Sequence, residues 1–197
     1  MELLLPQTHM NKTKLIVLFG PSGSGKDTLL NFLVQTQKNI NKVISYTTRT
    51  KRDYEVEGID YHFVDANTFA EKLLKGEILE ATDWGGNIYG TSVEDLEKYK
   101  INIKILDIEG IECLMDIPWL EVYPIFVACE DKERLIRCLT REKSPDCEKI
   151  CERFLEDNKR FSAAMPFQFY TYYNGKGVDM FSFITFLYSH GILTNLD

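Results

Sequence analysis

Apolar residues along this chain gather in short unbroken runs, and between the runs the spacing changes to that of a helix. Leu15–Phe19 is five apolar residues in a row, ending against Gly20. A run of that length bounded by glycine predicts a strand buried on both faces. Leu29, Leu30 and Leu33 then recur at helical spacing, so a helix is predicted to begin near Lys26. Lys42–Ile44 predicts a second strand, and Ile101–Ile108 and Val122–Val127 predict two more. Lys132–Thr140 predicts a helix. Cys147–Ala164 predicts a longer one, with Ile150, Phe154, Leu155 and Phe161 on its apolar side. Phe167–Tyr173 predicts a last strand and Val178–His190 a closing helix.

The stretch Ser45–Gly90 breaks this rhythm. It is polar and aromatic, with alternating pieces such as Tyr61-His62-Phe63-Val64. Such alternation predicts a small, mainly antiparallel insert rather than another βαβ unit. Within it Thr68–Lys75 predicts a short helix with Phe69, Leu73 and Leu74 on one face, stopped by Gly76. Ser92–Tyr99 predicts a second short helix with Ser92 as its N-cap. The whole reads as an α/β fold: a parallel sheet flanked by helices, plus a small mixed or antiparallel insert. Sheets of this kind bind ligands at the carboxyl ends of their strands, which is where Gly20 begins a loop.

Composition narrows the function. The 197 residues are 44% hydrophobic and 27% charged, as in one ordinary globular domain. A net charge of −7 argues against a nucleic-acid or anionic-membrane partner. The five cysteines form no CxxC pair, and no histidine stands near Cys147 and Cys151 to complete a zinc set. An odd cysteine count reads as reduced thiols, so a cytoplasmic location is expected. The N-terminal Leu3-Leu4-Leu5 is too short for a signal segment, and no apolar stretch reaches membrane-spanning length. Residues 1–12 are expected to be a disordered extension.

The chemistry starts in Gly20-Pro21-Ser22-Gly23-Ser24-Gly25-Lys26-Asp27-Thr28. Glycines let the backbone turn its N–H groups inward around phosphate oxygens, and the helix N-terminus adds more donors. Lys26 supplies a point charge for a migrating phosphoryl group. The pattern is G-x-x-G-x-G-K-x-T, with Asp27 where a hydroxyl usually follows the lysine and Thr28 one place later. This form resembles the phosphate loop of nucleoside monophosphate kinases.

A second constellation follows in the insert. Ser45-Tyr46-Thr47-Thr48-Arg49-Thr50-Lys51-Arg52-Asp53-Tyr54-Glu55 is followed by Gly58-Ile59-Asp60-Tyr61-His62-Phe63. A phosphate dianion favours bidentate guanidiniums, which Arg49 and Arg52 can present. Ser45 and Tyr61 can add hydroxyl donors, and Glu55 can orient an arginine. Alone, Arg49–Arg52 would read as a solvated basic turn. In this order the residues resemble the substrate insert of guanylate kinases, S-x-x-T-R-x-x-R-x-x-E then G-x-D-Y-x-F. The resemblance continues through Gly76–Glu80, Tyr89–Ser92, Ile105–Ile108 and the arginines Arg137, Arg141 and Arg153.

The resemblance implies a P-loop NTPase core and a transfer from ATP to GMP, and to dGMP, with Mg²⁺ bridging the ATP phosphates. It implies Lys26, Arg49, Arg141 and Arg153 as catalytic residues, with Arg137 joining the loop in binding ATP. It implies GMP binding by Ser45, Arg49, Arg52, Glu55, Tyr61, Glu80, Tyr89, Thr91, Asp107 and Glu109. Glu80 would accept from guanine N1–H and the exocyclic amine, and Thr91 would meet the base oxygen. The expected domain runs over 13–197, with core 13–44, 92–137 and 155–197, insert 45–91 and a lid at about 138–154. A monomer or a homodimer is expected. Departures from the family are Lys51, Tyr54 and Glu109, the last standing where a shorter carboxylate is usual. Two rivals stay open from sequence: a kinase of another small phosphate such as ribose 1,5-bisphosphate, and a phosphopeptide-binding module without chemistry. The intact Gly25-Lys26 pair speaks against the second.

Overall fold

The computed structural model describes residues 12–141 and 143–194. The predicted extension 1–12 therefore lies outside the described residues, except for Lys12. Strand β1 (Thr13–Phe19) runs into the glycine-rich loop, and helix α1 (Lys26–Thr36) leaves it. β1 is the middle of a five-stranded sheet with β2 (Ile40–Lys42), β7 (Ile101–Ile105), β8 (Leu120–Ala128) and β9 (Tyr170–Tyr173), in the order β2-β7-β1-β8-β9. Every pair in it is parallel.

The unbroken apolar run of β1 is explained by what lies on each face. Ile16 and Leu18 pack with Leu29 and Leu33 of α1 and with Phe183 and Leu187 of α6 (Phe181–Ser189). Leu15, Val17 and Phe19 point the other way, onto Ile111 and Leu114 of α3 (Ile108–Met115) and Phe161 of α5 (Cys147–Ser162). Alternate side chains thus serve two cores, and each buried one stabilises the fold by roughly 1.5–3 kcal/mol. Helix α4 (Asp131–Thr140) follows β8 and packs beside α5.

The insert forms its own four-stranded sheet from β3 (Ser45–Thr47), β4 (Tyr61–Phe63), β5 (Ile78–Trp84) and β6 (Asn87–Ser92), in the order β4-β3-β6-β5. β4 lies parallel to β3, while β3–β6 and β6–β5 are antiparallel, so the sheet is mixed. Helix α2 (Ala66–Leu74) covers it, and Tyr46, Phe69 and Ile78 make a small separate core.

Several boundaries differ from the sequence reading. In α2 only Phe69 is buried, whereas Leu74 is 89% exposed. Ser92 caps no helix: it is the last residue of β6, buried opposite Ile78, because the β5–β6 hairpin extends that far. The apolar run Ile101–Ile108 is split. Its strand stops at Ile105, and Asp107 caps α3 by accepting from the Gly110 amide at 2.9 Å. The second strand sits at Ile40–Lys42 rather than Lys42–Ile44. Leu155 of α5 is 60% exposed, so that helix buries less than its pattern promised. Among the described residues no helix is long and apolar enough to cross a membrane.

Candidate active site

The β1–α1 loop is built around two glycines that no other residue could replace without strain. Gly23 has φ +77°, and a Cβ there would stand 2.4 Å from the Arg134 carbonyl oxygen. Gly25 has φ +94° and serves as the N-cap of α1, with the Asn174 side chain 2.4 Å from where its Cβ would be. The loop is thus pressed onto α4 on one side and onto the end of β9 on the other. Asn174 donates from Nδ2 to the Ser24 carbonyl at 2.8 Å, and Arg137 Nη1 donates to the Gly23 carbonyl at 3.4 Å. Lys26 Nζ donates to the carbonyls of Gly20 and Pro21 at 2.7 and 2.9 Å. Burial pulls its ammonium down to about 8, opposed by the charges of Asp27 and Asp157. Asp27 and Thr28 are exposed on the first turn of α1.

A cavity of about 370 Å³ opens beside the carboxyl end of β7. Ser45, Tyr61, Glu80, Tyr89 and Asp107 line it together with Thr82, Ile105 and Leu106. Five residues predicted from spaced motifs therefore meet here, delivered by β3, β4, β5, β6 and the turn into α3. Glu80 is 5% exposed and accepts from Thr91 Oγ1 at 2.5 Å. Burial pushes its carboxyl up, while the charge of Lys104 and the Thr91 hydroxyl pull it down. Gly110 of α3 closes on it, since a Cβ there would stand 3.3 Å from Glu80 Oε2.

Arg49 stands beside this cavity, held by several neighbours. Its guanidinium meets Glu55 through both nitrogens, and its Nε donates to Tyr89 Oη at 3.2 Å. Its carbon also lies 5.5 Å from the Tyr61 ring centroid. Arg49 holds the Glu55 carboxyl below its usual range. Arg52 is exposed and donates to Tyr54 Oη at 2.8 Å, so its side chain does not line the cavity. Glu109 does not line it either: on the first turn of α3, it is ion-paired with Arg160 at the surface.

Arg141 and Arg153 share a second cavity of about 340 Å³ with Ser22 and Cys138. Ser22 belongs to the glycine-rich loop, so this cavity adjoins it.

Three residues of the site were not singled out from sequence. Lys104 of β7 is buried and donates to Ser45 Oγ at 2.8 Å. Arg134 of α4 is 1% exposed, bonded to Asn158 Oδ1 at 2.6 Å and Asp131 Oδ1 at 2.9 Å. Asp157 of α5 accepts from the Ser22 amide of the loop at 2.6 Å. For Lys104 a signal existed, a lone charge inside an otherwise buried strand. For Arg134 and Asp157, which sit among other charges, there was none. Among the described residues no cluster of His, Cys, Asp and Glu could hold a metal ion.

Comparison with known proteins gives concordant matches. A family model described as guanylate kinase matches residues 12–174. The guanylate kinase of Desulfotalea psychrophila is 38% identical over 145 residues, covering 72% of this chain and 71% of that protein. That of Prochlorococcus marinus is 34% identical over 163 residues, covering 81% and 88%. Among solved structures, guanylate kinase from Anaplasma phagocytophilum superposes with a TM-score of 0.66 at 25% identity, covering 93% of this chain and 89% of that one.

Proposed function

The chain belongs to the guanylate kinase family, and from that premise we propose how its own residues convert ATP and GMP into ADP and GDP. The observation that carries the reading is the cavity in which Ser45, Tyr61, Glu80, Tyr89 and Asp107 converge. It opens at the same sheet edge as the loop ending in Lys26, since β7 and β1 are neighbours in register.

GMP is placed with its base on Glu80 and its phosphate toward Ser45, Tyr61, Tyr89 and Arg49. A carboxylate accepts from guanine N1–H and the exocyclic amine together, whereas adenine offers an acceptor at N1. Thr91, bonded to Glu80, fixes the orientation of that carboxylate. ATP is placed with its phosphates in the Gly20–Thr28 loop, with Arg137 beside the loop. The GMP phosphate is already an anionic nucleophile, so no protein base is required. Transfer in line spreads charge over the equatorial oxygens of the moving group. Lys26, Arg141 and Arg153 would supply fixed positive charge to stabilise it, and Arg49 would hold the acceptor. dGMP is proposed as a second acceptor.

The donor set fits a Mg²⁺ ion that arrives with ATP rather than one held in a protein cage. Oxygen ligands beside the loop are few, Asp27 and Thr28 on the first turn of α1 and Asp157 at the Ser22 amide, and the rest would be phosphate oxygens and water. When bound, such an ion would offset the negative charge of the ATP phosphates. We place the insert at 45–91 and a lid at about 138–154, closing over the two nucleotides to exclude water. We place the protein in the cytoplasm, in keeping with its five free thiols, as a monomer or homodimer.

The test is release of ADP from ATP in the presence of GMP, dGMP, AMP, CMP, UMP or ribose 1,5-bisphosphate. GMP should exceed AMP by about 10⁴-fold in kcat/KM, because adenine leaves Glu80 buried without its donors. Equal rates with AMP or the sugar phosphate would overturn the reading.

A further inference from the structure

Lys104 is the one charged residue of β7, and it is 3% exposed. It lies directly before Ile105, Leu106 and Asp107, which line the GMP cavity. Its ammonium donates to Ser45 Oγ at 2.8 Å. Burial pulls it down to about 8, opposed by two carboxylates that attract it, Glu80 from β5 and Asp95 from the loop after β6. Asp95 also faces His62 Nε2 at 3.0 Å, whereas Glu80 feels, besides Lys104, the repulsion of Asp107 and the Thr91 hydroxyl. Ammonium and carboxylate are therefore both buried beside the same cavity, and each moderates the cost of the other's charge.

Two consequences follow from elementary chemistry. A carboxyl as buried as Glu80 tends to take up a proton. It would then offer one donor and lose part of its acceptor capacity, a pattern that suits the N1 acceptor of adenine as well as it suits guanine. And because an ammonium can only donate, Ser45 Oγ must accept from Lys104, which leaves the Ser45 hydrogen to be donated elsewhere.

We infer that Lys104 is a specificity-determining positioning residue: it keeps Glu80 a carboxylate that reads the two donors of guanine, and it turns the Ser45 hydroxyl toward the acceptor phosphate. The inference rests on the placement of GMP given above.

The experiment measures KM for GMP and the inhibition constant of AMP as its competitor, from pH 6 to pH 8, with circular dichroism as the check on folding. In the wild-type protein the ratio of the two constants should stay flat, as expected of a carboxylate that Lys104 holds ionised. In Lys104→Met the ratio should fall about 100-fold at pH 6 and climb as pH rises and Glu80 ionises unaided. kcat at saturating GMP should change far less. Glu80→Gln should be pH-independent, and adding Lys104→Met to it should leave its ratio unchanged. A wild-type ratio that itself rises across this range overturns the inference, and it decides the matter even if Lys104→Met does not fold. So does a variant that weakens GMP and AMP equally at every pH while the wild type prefers GMP. A wild-type protein with no GMP-dependent ADP release overturns the function and this inference together.

Discussion

Arg49 and Glu55 meet as a two-toothed pair, Nη1 to Oε2 at 3.0 Å and Nη2 to Oε1 at 2.6 Å. The carboxylate also accepts from the Arg52 amide at 2.8 Å, so the turn and the guanidinium are locked by one side chain. An arginine held this way is oriented before any phosphate reaches it. Glu55→Gln keeps the shape and removes the charge. It should raise KM for GMP by about 10-fold and leave KM for ATP unchanged. Because the carboxyl is held below its usual range, the pair is intact above that depressed value and is lost only as pH falls through it. Steady-state kinetics with each substrate varied in turn would check this, and an equal rise in both KM values would contradict it.

Lys26 should make ATP use depend on pH on the alkaline side. Its ammonium is charged below about 8 and neutral above it. kcat/KM for ATP reports the free enzyme, so it should fall about 10-fold per pH unit above that value. Bound phosphate favours the ammonium, so kcat should hold to higher pH. Lys26→Met should lose about 100-fold or more in kcat and still bind GMP in a direct titration.

Asp157 places a carboxylate on an amide of the phosphate loop, 2.6 Å from the Ser22 nitrogen. ATP phosphates and this carboxylate are like charges competing for one nest of donors. Asp157→Asn should therefore lower KM for ATP by about 3- to 10-fold. It should also lower the melting temperature, since Arg134 Nη1, 4.0 Å away, loses a counter-charge. Unchanged ATP affinity in a folded variant would show that Asp157 steps aside at no cost.

Phe69 is 1% exposed in the small core beneath the insert. Phe69→Ala should cost about 3–5 kcal/mol there. That core is separate from the two around the parallel sheet, so the loss should be local. GMP binding should fail at a temperature where an ATP analogue still binds, as followed by hydrogen exchange over β3 to β6. Simultaneous loss of both would mean that the insert and core unfold as one.

The phosphate loop was legible in the sequence because its chemistry is local: glycines, lysine and helix start lie within one short stretch. The meeting of Ser45, Tyr61, Glu80 and Tyr89 was legible only through the order of spaced motifs resembling a family. No periodicity announces which β-strands of an insert will share a cavity. Lys104 was passed over because INIKI reads as a buried strand whatever its fourth residue does. Arg134 and Asp157 look like surface charges on amphipathic helices, and only the approach of α4 and α5 to the loop buries the one and aims the other. Motif register places Glu109 and Arg52 toward GMP, while in this structure Glu109 pairs with Arg160 and Arg52 donates to Tyr54 Oη. The predicted helix at Ser92 failed because strand pairing with Ile78 outweighs a capping preference.

The absence of room at Gly23 sets a limit on what an engineer could transplant. Its missing Cβ would collide with the Arg134 carbonyl, and the neighbouring Gly25 is hemmed in by Asn174. The loop takes its shape from partners far along the chain as much as from its own glycines. Grafting Gly20–Thr28 onto a foreign strand and helix should therefore give a slack turn with little hold on phosphate. The portable unit is the loop with its two buttresses, helix α4 and the segment that carries Asn174.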